Sequence, residues 1–65
     1  MLQVFFKLDY EIIIDDSWFR NPAMLPTVGH KVFIVQRGEK SGESYQVTDI
    51  FWNGPDLVTI HIEKY

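Results

Sequence analysis

Few side chains in this chain are of a type and spacing that could carry catalysis. His30 and His61 are the only imidazoles, and neither belongs to a His-x-x-x-His or His-Glu-x-x-His spacing that would turn two metal ligands to one helix face. The sequence has no cysteine, so thiolate metal sites and disulfides are excluded. A nucleophile would have to come from Ser17, Ser41, Ser44 or a threonine, and none stands in the strand-turn-helix elbow that exposes a catalytic serine. Asp15-Asp16 and Glu39/Glu43 are carboxylate pairs of the kind that can share acid and base roles, but in polar segments such pairs are solvated. Gly38-Glu39-Lys40-Ser41-Gly42 has the glycines and lysine of a phosphate loop but lacks the Gly-Lys-Ser/Thr ending and the helix behind it. A hairpin tip accounts for it better. The expectation is a chain that is not an enzyme and holds no metal and no cofactor.

The residues that remain are of binding type. Trp18-Phe19-Arg20 joins two residue types enriched at interface hot spots, tryptophan and arginine, and is the candidate partner-binding segment. Phe5, Phe33, Val35, Phe51 and Leu57 are apolar positions opposite the expected core and form a candidate oligomer interface. His30, Arg37 and Lys40 are anion-facing candidates in an alternative reading, an oligomer that sequesters a small ligand or nucleotide in pockets between subunits. A third reading, binding of single-stranded nucleic acid, needs a basic groove lined with stacking aromatics. The six Lys and Arg residues are scattered and the net charge is −3, which argues against it.

Size bounds what positions these residues. Sixty-five residues make one domain, 1–65, and a chain this short buries only about 60% of its unfolded surface. Hydrophobic residues make up 46% of it and aromatics 15%, so stability comes from a dense core, from self-association, or from both. Leu2, Val4, Phe6, Leu8, Tyr10, Ile12 and Ile14 alternate with Gln3, Phe5, Lys7, Asp9, Glu11, Ile13 and Asp15, the period of an extended chain. With no glycine or Asn-Gly pair near Asp9-Tyr10, this reads as one long bent strand. Residues 15–26 read as an irregular loop, with Asp16 or Ser17 capping a short helical turn over Trp18-Phe19-Arg20 that Pro22 ends. A strand follows over 31–36, a polar hairpin loop over 37–44, and a strand over 45–52. A bulge near Thr48-Asp49 would turn Tyr45, Val47, Ile50 and Trp52 inward. Asn53-Gly54 marks a tight turn, and 57–62 forms the last strand, with Val58, Ile60 and Ile62 on one face.

Leu25-Pro26-x-x-Gly29-x-x-Val32, then Tyr45-x-Val47-x-x-Ile50-x-Trp52 and the Val58/Ile60/Ile62 strand, resembles the small SH3-like barrels encoded in bacterial and phage genomes. The resemblance covers roughly residues 1–63. It implies an all-β fold, a small, partly open SH3-like barrel of four to five antiparallel strands with a long first strand and an irregular 15–26 loop. Its motif residues shape a turn and fill a core, so it implies a fold and no functional residue. His30 departs from the acidic residue such chains often place beside the turn glycine. Residues 1–7 lack a basic stretch, and no apolar run reaches the length of a membrane span. The expectation is therefore a cytoplasmic protein-interaction module, in the host cytoplasm if phage-encoded, with a protein partner and a homo-oligomeric state.

Overall fold

Alternating apolar residues bring the two ends of the chain together. In the computed structural model, which describes residues 1–65, β1 (Leu2–Leu8) lies alongside the last strand, β5 (Leu57–Lys64), in parallel register, Val4 opposite Val58 and Phe6 opposite Ile60. β2 (Glu11–Phe19) returns antiparallel along the other side of β1. β4 (Glu43–Gly54) pairs antiparallel with β5, and the short β3 (Lys31–Ile34) antiparallel with β4. The result is one five-stranded sheet, ordered β2-β1-β5-β4-β3, curled into a half-barrel with no α-helix. This is the all-β, partly open, SH3-like architecture implied by the sequence. The core lies on its concave side: Leu2, Val4, Phe6, Tyr45, Val47, Val58, Ile60 and Ile62 are buried.

The long first strand is corrected to a hairpin. Asp9 takes a positive φ of 56°, so a two-residue Asp9-Tyr10 turn places Leu8 opposite Glu11; aspartate tolerates this region because its short side chain bonds locally. The irregular 15–26 loop is corrected as well, since residues 15–19 continue β2. There β2 advances three residues, Ser17 to Ile14, while β1 advances two, Val4 to Phe6. The bulge keeps Asp15 and Asp16 exposed on an edge strand. Trp18 and Phe19 are accordingly strand residues rather than part of a helical turn. The one helical turn is the 3-10 segment Pro22–Met24, which Pro22 begins rather than ends, and Asn21 caps it by accepting from the Ala23 N–H at 2.9 Å. Proline suits a first helical position because its missing N–H would have no partner there.

Antiparallel pairing holds for three ladders and fails for the central one, β1–β5. The bulge expected near Thr48-Asp49 is present: Val47 faces Ile62 and Asp49 faces His61, leaving Thr48 as the extra residue. It turns Tyr45 and Val47 inward and leaves Ile50 partly buried, but Trp52, at the barrel end, stays exposed. The turn before β5 centres on Pro55-Asp56, with Gly54 opposite Leu57. Asn53 instead accepts a 2.7 Å hydrogen bond from the Thr59 hydroxyl. Gly29, at φ 92°, closes a turn in which the His30 N–H donates to the Thr27 carbonyl. His30 supplies the cap of that turn itself, its Nδ1 accepting from the Thr27 N–H at 3.2 Å.

Two substitutions test this packing. Ile60 has no exposed surface, so Ile60→Val should cost about 1 kcal/mol and Ile60→Ala about 2–5 kcal/mol, read as lower urea midpoints with unchanged m-values. Gly42→Ala would drive a Cβ into the Ile34 carbonyl oxygen and the Val35 side chain. It should lower the midpoint although Gly42 itself lies in a polar loop.

Candidate functional site

A sheet that curls without closing leaves its two edge strands facing each other across a gap. β2 and β3 are those edges and do not pair, so each has one row of backbone groups with no strand beside it. Following the ladders across the sheet, β2 and β3 run in opposite directions.

The lower part of this seam is an apolar groove of about 480 Å³. Phe6 forms its floor. Ile14, Ser17 and Phe19 of β2 line one wall, Val32, Phe33, Ile34 and Val35 the other, and Met24 and Pro26 close the end. The walls follow from the strand register, since Phe6 pairs with Ile14 and Val4 with Ser17 on the concave face. Phe33, 69% exposed, and Met24, 61% exposed, form the lips.

Toward its other end the seam turns polar. A hollow of about 370 Å³ is bounded by Leu8, by Glu11, Ile12 and Ile13 of β2, by Gln36 and Glu39 of the β3–β4 loop, and by Glu43, Tyr45 and Lys64. Three carboxylates face a single ammonium there. Tyr45 lies at its base and donates to Glu43 Oε2 at 3.3 Å, and Lys64 approaches the same oxygen at 3.6 Å. Burial, reinforced by the Glu43 charge and its hydrogen bond, raises the Tyr45 phenol above the ordinary tyrosine range. Arg37 reaches across the seam to pair with Asp16 of β2. Both side chains are well exposed, so the clip is weak and salt-sensitive.

The sequence-derived candidates are dispersed over this frame. Phe19 lines the groove, Trp18 points to the convex face beside Gln3, and Arg20 is exposed just past the end of β2. The oligomer candidates divide: Phe33 and Val35 border the groove, whereas Phe5, Phe51 and Leu57 lie on the convex face. His30, Arg37 and Lys40 are not brought together. His30 and Arg37 flank opposite ends of extended β3, Arg37 is engaged by Asp16, and Lys40 is exposed in the loop. No three His, Asp or Glu side chains converge as a metal-binding group, and no helix is long and apolar enough to cross a membrane. Sequence reasoning missed Phe6, Ile14, Val32, Ile34, Met24 and Pro26 as site residues. Alternation marks Phe6, Ile14, Val32 and Ile34 as inward-facing, but only the register shows that this inward face opens at a seam, and Met24 and Pro26 lie outside the strands altogether. Comparison with protein-family models, with curated proteins and with solved structures finds no match.

The Tyr45 environment predicts an alkaline limb in stability. A phenol with a raised folded-state pKa contributes fully below about pH 10, the unfolded value. Its contribution is lost as pH rises through the folded value. Thermal melts from pH 8 into the alkaline range should show the transition beginning to fall at about pH 10, the unfolded value, with a shallower fall for Tyr45→Phe.

Proposed function

We propose that this chain is a non-enzymatic protein-interaction module that takes an extended segment of a protein partner into the seam between β2 and β3. The observation that carries this reading is the apolar groove of about 480 Å³ bounded by two strand edges with no neighbouring strand. Strand edges recognise extended peptides through main-chain hydrogen bonds, and the pockets beside them select alternate side chains. A segment laid between β2 and β3 would run antiparallel to one edge and parallel to the other. The charge distribution adds a constraint: Glu11, Glu39 and Glu43 at the polar end, offset by Lys64 alone, suit a segment with a Lys or Arg beyond its apolar residues. The preferred ligand is therefore a stretch of alternating apolar side chains with a basic residue at one end. Of the Trp18-Phe19-Arg20 segment, Phe19 contributes directly as a groove wall. The sequence resemblance and the absence of cysteine fit a small cytoplasmic accessory protein, such as a phage-encoded one acting on a host factor.

Selection from a displayed library of random linear peptides tests this. Enriched peptides should alternate apolar residues and carry a terminal Lys or Arg, and their amide shift perturbations should map to β2 and β3. Phe33→Asp and Met24→Glu change exposed lips, so both should abolish capture with the melting transition nearly unchanged. Peptides that bind these variants as well as the parent chain, or a selection without enrichment, would sink the proposal.

A further inference from the structure

The convex face carries a second pattern, independent of the seam. β5 is the middle strand of five, and on its outward side the ladders set out matched rows. Phe5, Thr59 and Phe51 form one row across β1, β5 and β4, and Lys7, His61 and Asp49 form the next. Phe51 is 58% exposed, leaving an aromatic on each side of the smaller threonine. Lys7 and Asp49 are separated by the width of β5, and neither has an ion-pair partner, the two salt bridges of the chain being Arg37–Asp16 and Lys64–Glu43.

We infer that this face binds a second copy of the chain about a two-fold axis running along β5. A rotation about that axis exchanges the positions of β1 and β4 while preserving height along the strands. Phe5 of one copy then meets Phe51 of the other, twice, with the two Thr59 side chains on the axis. The same operation sets Lys7 against Asp49, also twice, so the charges left unpaired in the monomer become mutual partners. This self-complementarity is what an isologous interface requires. The aromatic contacts supply the attraction, and the opposite charges fix register and exclude a slipped arrangement. Contact centred on β5, with β1 and β4 curving away on either side of the convex face, places the dimer at the low end of specific interfaces, so association should be weak and reversible rather than obligate.

Sedimentation equilibrium over a concentration series tests the arrangement with a charge swap. Lys7→Asp and Asp49→Lys should each weaken dimerisation by about tenfold or more, because each creates two like-charge contacts. The double variant restores both pairs and should return to within a few-fold of the parent chain. Circular dichroism melts of all three variants establish that the monomers fold, and Phe51→Ala should also favour the monomer. A parent chain that stays monomeric throughout would overturn the inference. So would a dimer indifferent to the single reversals, or a double variant no better than the singles. Failure of peptide capture at the seam leaves these outcomes unaffected.

Discussion

The whole architecture hangs on the parallel ladder between β1 and β5. The β1–β2 hairpin and the β3–β4–β5 meander are each held together by antiparallel pairing. They join to one another through β1 and β5, whose inward residues Val4, Phe6, Val58, Ile60 and Ile62 make up most of the buried core. This contact joins residues 3–8 to residues 57–62. The chain must therefore close nearly its full length before the ladder forms, and such non-local pairing slows folding. It also sets the curl. Once β1 and β5 are adjacent at the centre, β2 and β3 are left as the two edges, and a five-stranded sheet of this size does not bring them into register with each other.

The sequence encodes its two edges differently. β2 carries bulges and exposed carboxylates at Asp15 and Asp16, devices that discourage indiscriminate edge-to-edge association. β3 is only four residues long and carries Phe33 outward. The clip from Arg37 to Asp16 bridges these unlike edges without joining their backbones. An exposed ion pair can be exchanged for an incoming strand at small cost, whereas a backbone ladder could not. The seam is thus bridged only by an interaction weak enough to be displaced.

Local pattern made much of the fold legible and left the site obscure. Alternation at Val58, Ile60 and Ile62 identified the buried face of β5, and the awkward position of Asp49 revealed the bulge at Thr48 because a buried unpaired carboxylate would be costly. The Asp9-Tyr10 turn escaped because its positive φ falls on aspartate rather than glycine. The same omission turned a hairpin into a single strand and displaced Trp18 and Phe19 into a supposed loop. The parallel β1–β5 pairing leaves no local mark at all: apolar alternation reads alike in parallel and antiparallel neighbours. Without it, Ile14, Val32 and Ile34 could be assigned to the interior but not to the rim of an opening. Pairing order, which a single sequence does not display, converts a core residue into a groove residue.

Scarcity of buried surface connects the fold to its surfaces. Eight buried residues supply a small core for a domain that has no cysteine and therefore no disulfide to constrain its unfolded state. In such a chain, any species that binds only the folded form adds stability in proportion to the logarithm of its concentration over its dissociation constant. A strand seated between β2 and β3 would cover Phe6, Phe19 and Ile34 and supply the missing neighbour of both edges. It would thereby act chiefly on the two edge strands and touch the β1–β5 ladder only at Phe6. A second copy against Phe5 and Phe51 would act on the ladder itself, from its convex side. The two surfaces would thus load different parts of one sheet, its open edges in one case and its central strands in the other.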